Sequence, residues 1–277
     1  MITVEMLGGL GNQLFRYAAG RSLAQKHKTG LILDVSHYEK YKLRTFELGC
    51  FNIKAEVRNS TDIFTRIATG ALKFFPGQKT YREKYYHFDS GFFDLPDGTY
   101  LSGYFQSEKY FSPIALQLKK ELTLKTMTLI TKKLLKEITS TNSVSVHVRR
   151  GDYADNPATQ KLHGICPPEY FHKAFTLIEK KINDPHYYFF SDEIAYVKKN
   201  MEMKRKSFYV AASPVGPAED LILMSRCKHN IIVNSTFGWW AAWLNPNPHK
   251  IVITPIKWYL HGPKDTQDLL PVSWLKI

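Results

Sequence analysis

The chain has 277 residues, 44% of them hydrophobic and 14% aromatic, with 38 Lys and Arg against 25 Asp and Glu for a net charge of +13. This is enough to bury one large or two modest domains, and it excludes a disordered chain or a solenoid repeat. Cys50, Cys166 and Cys227 are odd in number, far apart and in no CxxC pair, which argues against a disulfide framework or zinc site and for a reducing compartment.

The start, Met1 to Met6, lacks the basic and apolar regions of a signal peptide, and no run of about 18 uncharged apolar residues could span a bilayer. A cytoplasmic protein that begins where the sequence begins is expected. The lysines gather in 119–136 and 198–206. They read first as solvated helix faces, and second as a surface for anionic lipid at the inner membrane or for a nucleotide-sugar. No helix-turn-helix, finger or RNP pattern accompanies them, so nucleic acid is not an expected partner.

In chain order, Ile2–Met6 predicts a strand, Leu7 to Asn12 a glycine-rich turn, Gln13–His27 a helix and Leu31–Val35 a second strand. This opening is that of a doubly wound α/β domain. Residues 36–110 show turns at Pro76-Gly77 and Pro96-Asp97-Gly98 but no clear period, and read as irregular strands and loops. A helical pair fills 112–139 and ends in a Ser/Thr-rich segment, 139–143, taken as the hinge. The expected domains are therefore 1–140, on the acceptor side, and 141–277, holding the nucleotide.

Beyond the hinge, strand and helix alternate. Strand Val144–Val148 leads into a loop, 149–168, and helix Glu169–Ile182. Strand Tyr187–Phe190 ends in Ser191-Asp192-Glu193, which opens another helix. Strand Ser207–Val210 precedes a helix begun by Pro217. Strand Asn230–Val233 runs into Asn234-Ser235-Thr236-Phe237-Gly238 and a tryptophan-rich helix, and strand Ile251–Ile253 comes last. The expected class is α/β with two Rossmann-like domains. In such sheets ligands bind at the carboxyl ends of strands.

Three strand ends carry chemistry. In His147-Val148-Arg149-Arg150-Gly151-Asp152-Tyr153, His147 and Arg149 are two residues apart and can share a face. The paired arginines suit a pyrophosphate, because a guanidinium forks onto phosphate oxygens and stays charged. The plainer alternative is that Arg149 or Arg150 pairs with Asp152 and braces the loop. In Asn234 to Trp240, Ser235 and Thr236 stand where a strand gives way to a helix, a capping position that is also an anion site. Trp239, Trp240 and Trp243 read as helix core before a sugar platform. In Gly8-Gly9-Leu10-Gly11-Asn12-Gln13, Leu14 stands where GxGxxG needs glycine, and no GK[ST] follows. What remains is a turn whose backbone can approach a ligand, with Gly9, Gly11 and Asn12 beside it. Asp192, at a further strand end, joins the candidate substrate contacts. The chain has no DxD, HExxH or GxSxG motif and no metal-ligand histidine spacing, so no metal or cofactor is expected. A nicotinamide oxidoreductase, resting on the Gly9–Gly11 turn and Asp34, and a basic adaptor, resting on charge alone, are the rival classes.

At these residues the chain resembles the bacterial α1,2-fucosyltransferases of glycosyltransferase family 11, through GGLGNQLFRYAAGRSLA, HVRRGDY and NSTFGWWAAWL in that order. The resemblance implies a GT-B-like fold of two domains facing a cleft, and inverting, metal-independent transfer of fucose from GDP-fucose to the 2-hydroxyl of a galactoside, in O-antigen or other surface-glycan synthesis. The acceptor could be lipid-linked. The resemblance also implies that Arg149 contacts the β-phosphate, with Arg150 beside it, and that His147 lies near the nucleotide. Asp220 would read guanine or ribose. Asn234, Ser235, Thr236 and Phe237 would complete the diphosphate pocket, and Asn12 would face it from the first domain. Candidates for the general base are Asp152 first, then Asp155, His163 and Glu169. The motif departs from the family at Gly238 and Ala241, where a Ser and a Gly are usual.

Overall fold

The computed structural model describes residues 1–40, 43–61, 79–151, 156–201, 203, 205–213 and 216–277. The chain forms two compact units: Met1–Lys125 with Asp265–Pro271, and Thr126–Lys264 with Val272–Ile277.

The first unit contains β1 (Ile2–Glu5), α1 (Leu10–Lys26), β2 (Leu31–Asp34), α2 (His37–Lys40), β3 (Glu56–Arg58), β4 (Thr80–Arg82), β5 (Tyr100–Ser102) and α3 (Ala115–Glu121). Its five strands lie in the order β3-β2-β1-β5-β4, every pair parallel. Stretch 36–110, read as irregular strands and loops, thus supplies three sheet strands whose positions its sequence does not mark. Each has three residues, too few for an alternation to register. The turn expected at Pro76-Gly77 lies outside the described residues. Helix α1 starts at Leu10, earlier than its pattern suggests, because its N-cap is Gly9, which has no side chain to signal a helix start.

The second unit contains α4 (Leu129–Ser140), β6 (Ser143–Val148), α5 (Pro157–His163), α6 (Pro168–Glu179), β7 (His186–Ser191), α7 (Ile194–Asn200), β8 (Ser207–Tyr209), α8 (Pro217–Arg226), β9 (His229–Ile231), α9 (Thr236–Leu244), β10 (Val252–Thr254) and β11 (Leu275–Lys276). Its all-parallel sheet runs β11-β10-β9-β6-β7-β8, so β11, not β10, ends the chain's strands. Helix α5 interrupts the stretch read as a loop. Its signals are local: Asn156 caps Ala158 and Thr159 N–H groups, Pro157 opens the helix, and Gly164 (φ 69°) ends it.

The units divide at Lys125, not at the Ser/Thr segment. Thr139, Ser140 and Thr141 hydroxyls donate to carbonyls of the preceding turn and so finish α4. At its other end α4 is tied into the second unit by buried Glu219, which accepts from Thr128 N (2.6 Å), from the Thr128 hydroxyl (3.0 Å) and from the Thr131 hydroxyl.

Strand β6 is buried on both faces, as a central parallel strand must be, and its two faces differ. Val144, Val146 and Val148 pack with Tyr170, Phe171, Ala174 and Phe175 of α6. Ser143, Ser145 and His147 take the other face, where Asn230 donates to the Ser145 hydroxyl (2.7 Å) and Asn245 donates to Asn230 (2.7 Å). Trp239 and Trp240 are fully buried and Trp243 nearly so, which makes them core as expected. Described lysines of both basic clusters, including Lys119, Lys132, Lys133, Lys136 and Lys198, are exposed, as on solvated helix faces.

Candidate active site

In each sheet the strand order reverses at one point, and there the loops leaving adjacent carboxyl ends part to form a crevice. In the second unit the reversal lies between β6 and β9. The residues following these strands are Arg149, Arg150 and Gly151 on one side and Val233 to Thr236 on the other. Topology alone therefore joins two of the three motifs.

The β6–β7 register pairs Val148 with Ser191, which sets Arg149 beside Asp192. Arg149 Nη1 lies 2.9 Å from Asp192 Oδ2, and Arg150 N–H donates to Asp192 Oδ1 at 3.0 Å. Arg150 Nε donates to Glu193 at 3.2 Å, and its guanidinium lies 3.6 Å from the Tyr196 ring centroid. The arginines are thus braced by acids of the neighbouring strand end. Asp152 and Asp155 lie outside the described residues. Asp192, a candidate substrate contact, has both oxygens committed to the arginine loop. That loop passes so close that a Cβ on Gly151 would lie 2.5 Å from Asp192 Oδ2.

His147 is 5% exposed, with its ring centroid 5.5 Å from that of Phe237. Burial, with the Arg149 charge adding to it, pushes its pKa down to about 3. It is a neutral imidazole, and its buried Nδ1 has no hydrogen-bond partner. A Cβ at Gly238 would stand 2.7 Å from that nitrogen, so the glycine that departs from the family motif is what lets the ring sit here.

Helix α9 begins at Thr236 with Ser235 as N-cap, but the Ser235 hydroxyl makes no capping hydrogen bond. Its first turn therefore presents N–H groups and the positive end of the helix dipole that the Ser235 hydroxyl does not take up. The Asn234 amide donates to His163 O (2.7 Å) and Trp258 O (3.1 Å), tying α5 and the segment after β10 to the end of β9. His163 is held by this framework, with its ring 5.3 Å from Tyr259, and Glu169 is exposed in the first turn of α6. Asp220 lies in α8, which packs on α9. Burial raises its carboxyl to about 6, the Ser213 N–H partly offsetting and Glu219 adding to the rise. Its Oδ1 is buried with no hydrogen-bond partner.

In the first unit the order reverses between β1 and β5, at the glycine turn. Gly8 carries the positive φ (80°), and a Cβ there would lie 2.8 Å from Asn12 Nδ2. Gly9 caps α1, and Gly11 falls within the helix, not the turn. Asn12 Oδ1 accepts from Gln106 (3.0 Å), and buried Gln13 clamps Gly8 O and Thr45 O. Sequence reading missed the neighbours of this turn. Arg44 Nε would be 3.7 Å from a Cβ on Gly9. Fully buried Arg16 donates to Glu5 O (2.6 Å), and Glu83 accepts from the Tyr104 and Phe105 N–H groups. Burial lifts the Glu83 carboxyl above the usual carboxylate range. Among the described residues no three His, Cys, Asp or Glu side chains gather as metal ligands, and no helix is long and apolar enough to cross a membrane.

A strand end that carries two arginines, next in the sheet to a strand that runs into a helix N-terminus, suits a diphosphate. Residues 1–277 match the family profile described as Glycosyl transferase family 11. The chain belongs to that family. The α1,2-colitosyltransferase of Escherichia coli is 31% identical over 100% of this chain and 99% of its own length. The E. coli O-antigen biosynthesis glycosyltransferase WbnK is 33% identical over 98% of each. Among solved structures, the fucosyltransferase NodZ from Bradyrhizobium superposes with a TM-score of 0.54 at 16% identity, over 88% of this chain and 93% of NodZ. That likeness concerns the fold, and the expected GT-B-like α/β class is the class of this family 11 glycosyltransferase.

Proposed function

We propose that the chain is an inverting, metal-independent galactoside α1,2-fucosyltransferase that moves L-fucose from GDP-β-L-fucose to the 2-hydroxyl of a terminal galactose. The observation that carries this reading is that the strand ending in Arg149 and the strand leading into α9 are neighbours at the reversal point of the second sheet. As the bond between fucose C1 and phosphate oxygen lengthens, negative charge grows on GDP and positive charge on C1. Arg149, Arg150 and the N–H groups of Thr236, Phe237 and Gly238 stabilise the first, in the place a metal would otherwise take. The acceptor oxygen attacks from the opposite face, so a β-linked donor gives an α-linked product.

The acceptor proton passes to a carboxylate. Asp152 is the first assignment by sequence. Glu169, exposed in the first turn of α6 in the same unit, is the second. Asp220 takes the nucleoside, where its unpartnered oxygen can accept from base or ribose. His147, neutral and buried, serves as a neutral wall and hydrogen-bonding group near the nucleotide, not as a cation. Kinship with an O-antigen enzyme supports a surface-glycan acceptor, lipid-linked and met at the cytoplasmic face of the membrane. The exposed lysines favour peripheral contact with anionic lipid there.

A second reading concerns only the donor. Colitose is fucose without its 3-hydroxyl, and a colitosyltransferase is 31% identical along the whole chain. Purified protein in EDTA, offered GDP-fucose or GDP-colitose with a panel of β-galactosides, separates the two by product mass. Fucosyl transfer to a galactose 2-hydroxyl supports the first reading. Exclusive use of GDP-colitose moves the donor to the second, and dependence on added metal removes the mechanism.

A further inference from the structure

Beside the arginines the second unit holds a cavity of about 230 Å³. Its walls are chiefly apolar: Val148 and Val233 at the strand ends, Ile165 and Cys166 before α6, Phe171 on α6 and Met201 after α7. Among the described residues charge enters it through Arg149 and Arg150, the latter laid against Tyr196, which also lines the space. Among the described residues the lining includes no carboxylate and no side-chain amide of the kind that reads the donors and acceptors of guanine. The Cys166 thiol is neutral as well, burial pushing its pKa up to about 11. At this size the cavity falls below the roughly 300–1,000 Å³ of pockets that take a whole drug-sized ligand, and suits part of one.

Resting on the fucosyltransferase reading, we infer that this cavity receives the methyl-bearing edge of the donor sugar and selects 6-deoxyhexoses over their 6-hydroxy counterparts. A diphosphate held on Arg149 and Arg150 places the attached sugar at the cavity's charged side, and the apolar walls remain for its least polar part. In L-fucose that part is C5 with its C6 methyl. L-Galactose, which differs only by a hydroxyl on C6, would bury that hydroxyl against Val148, Val233 and Phe171 without a partner. GDP-colitose keeps the methyl and would be accepted, so the cavity selects at C6 and not at C3.

The test compares kcat/KM for GDP-β-L-fucose and GDP-β-L-galactose on one β-galactoside acceptor, with GDP affinity measured separately by calorimetry. An apolar pocket rejects an added hydroxyl by about 100-fold at most. The unaltered enzyme should therefore prefer GDP-fucose by about 10- to 100-fold. Val233→Thr, which puts a hydroxyl in the wall, should cut that preference about fivefold or more. Cys166→Phe, which fills the space, should raise the KM for GDP-fucose about tenfold and leave the Kd of GDP within about twofold. A preference near unity in the unaltered enzyme overturns the assignment. So does an unchanged preference in Val233→Thr of normal melting temperature, or a parallel loss of GDP affinity in Cys166→Phe, which would give the cavity to the nucleotide. Absence of both GDP binding and transfer overturns the fucosyltransferase reading itself, and this assignment with it.

Discussion

Arg149 and Asp192 are joined across the ends of β6 and β7, Nη1 to Oδ2 at 2.9 Å, while the other Asp192 oxygen holds the Arg150 N–H at 3.0 Å. One carboxylate thus aims one arginine and fixes the backbone of the next. Asp192→Ala should lower kcat/KM by about 10- to 100-fold through misplacement of Arg149, with Asp192→Asn losing less because the amide oxygen can still accept. Gly151→Ala should behave like Asp192→Ala, since its Cβ would displace the same carboxylate. Steady-state kinetics on the three variants check this; wild-type kcat/KM in Asp192→Ala would contradict it.

Asp220, the proposed nucleoside contact, predicts a pH dependence of both stability and binding. Its carboxyl titrates near 6 in the folded chain, above the ordinary aspartate value, because it is buried. A raised aspartate pKa means that folding is favoured while the group is protonated. That advantage diminishes as pH rises from about 4 through about 6, and above this range the buried charge costs stability, on the order of 1–3 kcal/mol. Asp220→Asn should therefore raise the melting temperature of the unliganded protein at pH 7.5 and have little effect near pH 4. If the ionised form holds the nucleoside, GDP affinity should fall below pH 6 in the parent and be weak at every pH in the variant. Calorimetric titration against pH, with thermal melts alongside, checks both signs.

The pairing of Gly238 with His147 gives a packing test. Gly238→Ala adds a Cβ 2.7 Å from a buried ring nitrogen and should destabilise by about 1–3 kcal/mol, despite the better helix propensity of alanine. Gly238→Ser should cost less, because its hydroxyl can donate to the unpartnered Nδ1. Because the His147 pKa is depressed, its contribution to stability is full above about pH 6.5 and lost as pH falls towards 3. Chemical denaturation of the two variants at pH 7.5 gives the ranking, and Ala at least as stable as Ser would contradict it.

The general base can be assigned by comparison. Asp152→Asn should remove the acidic limb of the kcat profile and lower kcat by about 100-fold or more, with Glu169→Gln milder; the reverse ranking would transfer the role to Glu169. Neither change should alter the Kd of GDP.

The strand ends of the second unit were legible because its parallel strands are apolar runs and its helices begin at Pro168, Pro217 and Thr236. Arg149, Ser235 and Thr236 are therefore placed at carboxyl ends by the sequence pattern alone. Their supports were not legible. Asp192 reaches Arg149 through strand register, and Asn234 reaches His163 and Trp258 through a fold-back, neither of which leaves a local pattern. In the first unit three-residue strands carry too few side chains to show a period, so β3, β4 and β5 were hidden, and Glu83 with them. Gly11 was assigned to the turn because a glycine N-cap gives no Ser, Thr, Asp or Asn to mark where α1 begins. The hinge was placed late because hydroxyls that finish a helix resemble a linker in composition.

The central claim is that guanidinium groups at the end of β6 carry the charge of the departing diphosphate. The most direct measurement is the initial rate of fucosyl transfer from GDP-fucose to a β-galactoside in excess EDTA, for the parent and for Arg149→Ala of equal thermal stability. Full activity in EDTA, with a loss of about 100- to 1,000-fold or more in the variant, is the predicted result. An active Arg149→Ala, or a parent silenced by EDTA, would contradict it.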